Sequence, residues 1–136
     1  MKTKHMHTNY EMILPFIQAA DENDGHKKIV NGSYMPLTIE NLCYNDYKGN
    51  PVYSITHYGE MNGDLMSDPD MTVSIDKENR SVRPLTFQND YMRIYQQVFI
   101  ERDGKTLYSR RLLVDLDEFL WQWLKNIQAQ GFNPNA

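Results

Sequence analysis

An amphipathic segment close to the C-terminus constrains the fold more than any other part of this sequence. Its apolar side chains recur at the helical spacing i, i+3, i+4 and i+7, and they are Leu116, Phe119, Leu120, Trp123, Leu124 and Ile127. Asp115-x-x-Glu118 is similar to a capping box, and Gly131 followed by Pro134 is typical of a helix end. The pattern predicts a helix over residues 116–130, and its single apolar stripe needs a second layer to cover it.

A second helix is indicated near the N-terminus. Its apolar side chains are Tyr10, Ile13, Leu14 and Ile17. Thr8-x-x-Glu11 again has the spacing of a capping box. Pro15 inside a helix would remove a backbone donor and clash with the preceding turn, so the helix is either kinked there or begins near residue 12. The loop-forming residues from Asp21 onward predict where it ends.

Between these helices the apolar residues alternate with polar ones, as they do in strands. The strand-like segments are residues 35–39, 52–58, 71–75, 85–87, 94–101 and 106–113. Asp103-Gly104 separates the last two, and Asp-Gly favours a two-residue hairpin turn because both positions require a positive φ. The sequence therefore predicts an α+β fold. We expect a mainly antiparallel sheet of five or six strands, with the N-terminal and C-terminal helices packed on one face.

A turn at Asp103-Gly104 also predicts the register of the last hairpin. The expected pairs are Glu101 with Thr106, Phe99 with Tyr108, Gln97 with Arg110 and Tyr95 with Leu112. The more aliphatic face, with Ile94, Val98, Ile100, Leu107 and Leu113, should meet the helices, since a slip of one residue would exchange the two faces. The other face is then at least partly open, and its candidate binding residues are Tyr95, Gln97, Phe99, Tyr108 and Arg110.

The segment from His57 to Asp70 is unusually acidic. Glu60, Asp64, Asp68 and Asp70 offer the carboxylate oxygens that hard divalent cations prefer. Their spacing does not match an EF-hand loop, because no glycine stands at the sixth position from Asp64. The favoured interpretation is a connection between strands with turns at Asn62-Gly63 and Asp68-Pro69. We further hypothesise that this segment and the turn at 88–91 meet at one end of the sheet.

Composition limits the classes of protein that this chain can belong to. Its 136 residues fit one domain, and we expect flexible tails at residues 1–7 and 132–136. A net charge of −4 argues against general nucleic-acid binding. The sequence shows neither a secretory signal nor an apolar run of the ~20 residues that a membrane span needs, so a cytoplasmic protein is expected. His57 is expected to be a packed or half-exposed histidine and not a base, and Cys43 to be a small buried residue.

Two segments resemble a family of uncharacterised bacterial proteins encoded on conjugative and other mobile genetic elements. They are Asn62-Gly63-Asp64-Leu65-Met66-Ser67-Asp68-Pro69-Asp70-Met71 and Phe87-Gln88-Asn89-Asp90-Tyr91-Met92-Arg93-Ile94-Tyr95-Gln96-Gln97-Val98-Phe99. With the closing helix, the resemblance covers residues 57–132. It implies bacterial origin, a cytoplasmic setting and an accessory role on a mobile element. The family is a domain of unknown function, so it assigns no catalytic residue.

The sequence favours a non-enzymatic binding module without a cofactor. Its expected partner is another protein, bound by the open tyrosine-bearing sheet face or by an exposed strand edge, and a homo-oligomer stays open. The first alternative is a small metal-dependent enzyme that uses Glu60, Asp64, Asp68 and Asp70. The second is a weak single-stranded nucleic-acid binder that uses Arg93, Arg110 and sheet aromatics, against which the net charge counts.

Overall fold

The computed structural model describes all residues from Met1 to Ala136. The first and the last elements of the chain are helices. They are α1 (Met6–Asp21) and α2 (Arg110–Ala129). The strands between them are β1 (His26–Ile29), β2 (Leu37–Asn45), β3 (Pro51–Met61), β4 (Asp64–Asp76), β5 (Ser81–Asn89), β6 (Ile94–Gln97), β7 (Phe99–Arg102) and β8 (Lys105–Tyr108).

The first six strands form one antiparallel sheet in the order of the chain, and β7 and β8 form a separate two-stranded hairpin. Consecutive strands are joined by short turns, as expected when antiparallel neighbours follow each other in sequence. The predicted α+β fold, with a mainly antiparallel sheet between two terminal helices, is confirmed.

The register sorts the sheet into an apolar face and a polar face. Paired positions on the apolar face include Ile39, Ile55 and Met71, all fully buried. They belong to one core cluster together with the apolar residues of both helices. The next row across the sheet is polar, and it runs Thr38, Thr56, Asp70, Gln88 and Tyr95. The helices therefore cover one face, and the other carries hydroxyl, amide and carboxyl groups.

The C-terminal helix begins six residues earlier than its predicted start. Its N-cap is Ser109, whose Oγ accepts a hydrogen bond from the backbone N–H of Leu112 at 3.2 Å. The prediction that a capping box at Asp115 begins this helix was therefore wrong. Leu113 extends the apolar stripe by one turn and is buried, so burial favours helix over the strand predicted for this segment.

The N-terminal helix also begins earlier than predicted, at Met6 rather than at Thr8 or residue 12. Pro15 lies inside it at an exposed position. The carbonyl of Glu11, which Pro15 cannot bond, therefore lies on the solvent side of the helix and can bond water. Its predicted end at Asp21 is confirmed.

The N-terminal residues do not form the flexible tail that was predicted. His5 is buried and its ring stacks on Trp121 with centroids 4.2 Å apart. The His5 Nε2 atom lies 2.5 Å from a carboxylate oxygen of Glu118, and the Thr3 hydroxyl donates to Asp117 at 2.8 Å. Trp121 therefore packs on the N-terminal segment.

Two further expectations about single residues were wrong. Phe132, assigned to a C-terminal tail, is buried in the core after a left-handed Gly131 with φ 84°. Cys43, expected to be buried, is exposed. It adopts φ 62° where the pairing of β2 with β3 is interrupted between Asn41 and Asn45. This irregularity turns the end of β2 away from the core.

Candidate interaction surface

The backbone of one buried residue, Val98, joins the β7–β8 hairpin to the main sheet. The N–H of Val98 donates to the carbonyl of Leu85 at 2.9 Å, and the carbonyl of Val98 accepts from Ser109 at 3.1 Å. Neither β7 nor β8 pairs with a strand of the main sheet. The hairpin is therefore held at its base, and both of its outer edges lack a partner strand.

Large apolar side chains are exposed on and beside this hairpin. Four of them have between 41% and 46% of their surface exposed, and they are Tyr47, Ile100, Leu107 and Tyr108. Phe99 joins two of these rings, since its centroid lies 5.5 Å from Tyr47 and 5.8 Å from Tyr108. We call Tyr47, Phe99, Ile100, Leu107 and Tyr108 the hairpin surface. Because side chains alternate along a strand, Phe99 and Tyr108 lie on one face of the hairpin and Ile100 and Leu107 on the other. Exposed apolar side chains in such number are a feature of interaction sites.

A mostly apolar groove of about 180 Å³ lies within this surface. Its walls are Asp46, Tyr47, Leu85, Phe99, Ile100, Glu101 and Thr106. They come from the β2–β3 connection, β5 and both strands of the hairpin, so the groove exists only in the folded chain.

A buried ion pair supports the aromatic wall of the groove. The Asp46 side chain is 3% exposed and lies 3.5 Å from the guanidinium of Arg83. The other oxygen of Asp46 accepts from the N–H groups of Lys48 and Asn50, both at 2.9 Å. The guanidinium carbon of Arg83 is 5.9 Å from the ring of Tyr47 and 5.8 Å from that of Phe99. Cation–π contact with both rings holds them in place.

The five predicted binding residues fall into two groups. Phe99 and Tyr108 are paired on the hairpin as predicted, and so are Glu101 and Thr106. Arg110 is the first residue of α2, two positions after Tyr108.

Tyr95 and Gln97 lie instead on β6, where they pair with Gln88 and Thr86. The predicted pairs of Gln97 with Arg110 and of Tyr95 with Leu112 were therefore wrong, because the chain leaves the sheet at Val98. The Gln97 amide still reaches the hairpin and donates to the carbonyl of Phe99 at 2.8 Å. Tyr95 is 61% exposed on the polar sheet face. The binding role of all five residues stays a prediction.

The aliphatic residues that were predicted to meet the helices do not all do so. Val98 and Leu113 are buried, as predicted. Ile100 and Leu107 are paired with each other on an exposed face of the hairpin, so the expectation that they meet the helices was wrong.

The four acidic residues of the metal alternative do not converge. Asn62 and Gly63 form the predicted turn with φ 53° and 85°, and they place Glu60 on β3 and Asp64 on β4. Asp68 and Asp70 continue along β4. No group of three or more His, Cys, Asp or Glu side chains is arranged to hold a metal ion. The predicted turn at Asp68-Pro69 is a cis peptide bond inside the strand.

Asp70 is the most perturbed of these acids. Burial raises the pKa of its carboxyl above the usual value, and the negative charges of Asp90 and Glu40 act in the same direction. One of its oxygens is buried without a hydrogen-bond partner. Asp68 has a structural contact: its carboxylate accepts a hydrogen bond from the side-chain amide of Asn89 at 2.8 Å.

The hypothesis that the acidic segment meets the turn at 88–91 is confirmed. The Asp90 carboxylate accepts from the N–H of Ser67 at 2.8 Å, and the Ser67 carbonyl accepts from the N–H of Asp90 at 2.9 Å. Tyr91 lies over Gly59, where an added Cβ would come within 2.5 Å of the tyrosine hydroxyl. The two segments that carry the family resemblance therefore fasten to each other, which is a structural role.

His57 is packed, which is one of the two environments predicted for it. Its ring lies between those of Trp123 and Phe132, at centroid distances of 5.6 and 5.5 Å. Its Nδ1 atom lies 3.1 Å from the carbonyl oxygen of Met35. Burial lowers the pKa of this imidazole below its ordinary value. It is enclosed by the core and does not line the hairpin surface.

Sequence reasoning missed Asp46, Tyr47 and Arg83. The turn they support had a local signal, since Asp46 precedes Lys48-Gly49-Asn50 and aspartate favours such turns. Nothing local shows that this turn lies against a hairpin fifty residues later in the chain.

Comparison with known proteins identifies a family without assigning an activity. No curated protein and no solved structure matches the chain. Neither helix is long and apolar enough to cross a membrane. A family model described as a domain of unknown function, DUF6908, matches residues 8–133. The chain therefore belongs to the DUF6908 family.

Proposed function

We propose that this chain is a binding module that engages another protein through the hairpin surface. The observation that carries the proposal is the exposure of Ile100, Leu107 and Tyr108 on a hairpin that contributes little to the core. A core hairpin would bury these side chains, and a purely solvated hairpin would not need them. Aromatic and aliphatic anchors around a groove are typical of protein interfaces.

The edges of the hairpin give the same proposal a second support. The outer backbone groups of β7 and β8 pair with no strand of this chain. Such edges offer donors and acceptors to an added strand, and neighbouring side-chain pockets then select its sequence.

Site-specific photocrosslinking in cells of the source organism tests the proposal. Tyr108 is replaced by p-benzoylphenylalanine, and the matched control carries the same replacement at Tyr34, which is similarly exposed but lies beside Phe132. We expect a discrete protein adduct from position 108 that is absent from position 34. Adding Ile100→Ser and Leu107→Ser should abolish it. The same adducts from both positions would contradict the proposal.

We propose the bacterial cytoplasm as the setting, with an accessory role on a mobile genetic element. The support is the resemblance carried by residues 62–71 and 87–99. Sequencing the genes that flank this one tests it: integration or conjugation genes are the expected neighbours, and a conserved metabolic operon would contradict the setting.

A further inference from the structure

A cavity on the polar face of the main sheet lies apart from the hairpin surface. Its volume is about 430 Å³, and it is bordered by β1, β2, β3 and the start of β4. No residue lines both this cavity and the groove of the hairpin surface. Ligand cavities typically measure ~300–1,000 Å³, so this one has room for a small organic molecule.

On the first two strands, the register brings four polar side chains to the cavity. Lys28 pairs with Thr38, and His26 pairs with Glu40. Both pairs lie on the polar face, because Thr38 also pairs with Thr56 in the polar row of the sheet. Thr38 is 9% exposed, whereas His26, Lys28 and Glu40 are exposed around it.

On β3 and β4 the cavity gains a second carboxylate and an apolar wall. Tyr58 and Glu60 lie two and four positions after Thr56, so their side chains are on the same face. Leu65 pairs with Glu60 across the turn and is 66% exposed. The cavity therefore combines the carboxylates of Glu40 and Glu60 with an aromatic ring and an aliphatic side chain.

The cavity is negative when the neighbouring charges are included. Among its lining residues Glu40 and Glu60 are acidic and Lys28 is basic, with histidine counted as neutral. The rest of β4 and the turn after β5 add Asp64, Asp68, Asp70, Asp90 and Arg93. The acids still outnumber the bases when Lys27 is added and Asp70 is protonated. A cation is therefore the charge that this part of the sheet attracts.

Two further observations agree with this sign. Burial raises the pKa of the Tyr58 phenol above its ordinary value, and the negative charges of Asp70, Glu40 and Asp90 raise it further. Glu40 and Glu60 take part in none of the ion pairs of the chain. Their charges are therefore available to a ligand.

We propose that this cavity binds a small organic cation, an amine or an amidine that carries an aromatic or aliphatic body. Glu40 and Glu60 pair with the charged group, while the Tyr58 ring and Leu65 contact the body. The cation is organic, since no three His, Cys, Asp or Glu side chains are arranged to hold a metal ion. It is a free molecule, because edge strand β1 carries two lysines, which discourage pairing with another chain.

Three probes of the same shape and different charge test the inference. Benzamidine is cationic, benzamide is neutral and benzoate is anionic. Each is titrated into the isotope-labelled protein, and amide chemical shifts report both affinity and location. We expect benzamidine to bind at least about fivefold more tightly than benzamide, with the largest shifts at Thr38, Glu40, Tyr58 and Gly59.

Charge changes at the walls separate binding in the cavity from attraction to the whole chain. Glu40→Gln/Glu60→Gln should weaken benzamidine about tenfold. Glu78→Gln/Glu101→Gln makes the same change at two exposed positions outside the cavity and should leave the affinity within about twofold. Urea unfolding of each variant confirms that it is folded before binding is compared.

A gain of affinity supplies a test that loss of folding cannot imitate. Lys28→Glu adds a carboxylate at the cavity and should tighten benzamidine about threefold. Lys27→Glu is its matched control, because Lys27 pairs with Ile39 of the core and so lies on the opposite face of the same strand. Its effect should be smaller.

Several results would overturn the inference. They are equal binding of benzamide and benzamidine, tighter binding of benzoate, an unchanged affinity in Glu40→Gln/Glu60→Gln, and the absence of a saturable shift below about 50 mM benzamidine. Tighter binding of a short peptide with one internal arginine than of free agmatine assigns the cation to a partner protein and overturns the small molecule. The crosslinking experiment at the hairpin surface tests the proposed function separately.

Discussion

Asp117 lies on α2 and satisfies backbone and side-chain donors at the start of the other helix. Its carboxylate, in a residue that is 2% exposed, accepts from the N–H of His5 at 2.9 Å and from the Thr3 hydroxyl at 2.8 Å. The carbonyl of Asp117 accepts from the Asn9 amide at 3.2 Å. The N-cap residue of α1, His5, makes no side-chain capping hydrogen bond. Asp117, more than a hundred positions away, accepts hydrogen bonds at this end of the helix instead.

We expect Asp117→Ala to lower the free energy of unfolding by about 1–3 kcal/mol, because it leaves a buried donor without an acceptor. Asp117→Asn keeps one acceptor oxygen and should cost less. Urea denaturation monitored by tryptophan fluorescence measures both changes. Asp115→Ala, an exposed change on the same helix, is the control and should be nearly neutral. Equal losses from Asp115→Ala and Asp117→Ala would contradict the capping role.

The buried imidazole of His57 should make stability depend on pH. Burial lowers its pKa in the folded state, whereas the unfolded chain keeps a value near about 6.5. Between those two values the unfolded chain binds the proton more readily, so stability is fully present above about pH 6.5 and declines as the pH falls through that window.

His57→Asn removes the titrating group and should flatten the decline between about pH 7.5 and pH 5.5. Urea unfolding at each pH measures the slope. His26→Asn changes an exposed histidine on β1 and should leave the slope as it is in the parent protein. A full slope in His57→Asn would show that another group is responsible.

At the scale of single elements, the start of α2 depends on Ser109. Replacing Ser109 by Ala removes the hydroxyl that accepts from Leu112, and we expect a loss of about 0.5–2 kcal/mol. Ser109→Asp keeps a capping oxygen and should retain most of the stability. Thermal unfolding followed by circular dichroism compares the two. If Ser109→Ala unfolds at the parent temperature, the cap contributes nothing.

Periodicity predicted the elements better than it predicted their limits. The stripe from Leu116 to Ile127 identified α2, and Asn62-Gly63 and Asp103-Gly104 identified two hairpin turns. The starts of both helices were missed, since Ser109 lies in a segment that also alternates like a strand and α1 is capped by Asp117. The local pattern at Ser109 favoured the wrong element, and the capping of α1 by Asp117 depends on tertiary packing that a local window does not contain.

At the scale of the whole molecule, the two sheets should differ in local stability. β3 is paired on both sides and largely buried, whereas β7 and β8 pair only with each other. We expect amide hydrogens of the hairpin to exchange faster than those of β3 in the same sample, measured by mass spectrometry or NMR. Equal protection in both would show that the hairpin opens only with global unfolding.

The candidate site was predictable only in part, because it too depends on packing between segments that are distant in the sequence. The pairing of Phe99 with Tyr108 follows from the turn between them, and it is present. Asp46, Tyr47 and Arg83 complete the groove from distant parts of the chain, and Tyr95 is separated from it because the chain bends at Val98. The turn determines which residues pair within the hairpin. The packing between elements determines which of those residues lie on the same surface as residues from distant segments.

The attachment of the hairpin through Val98 has an evolutionary consequence. Phe99 packs against the core, but residues 100–108 can be replaced while the interior and the six-stranded sheet keep their contacts, because none of these nine belongs to the core or to that sheet. Selection for a new ligand would then act on nine positions without destabilising the scaffold. Under the proposed function, the hairpin of one family member grafted onto another should carry its binding specificity with it.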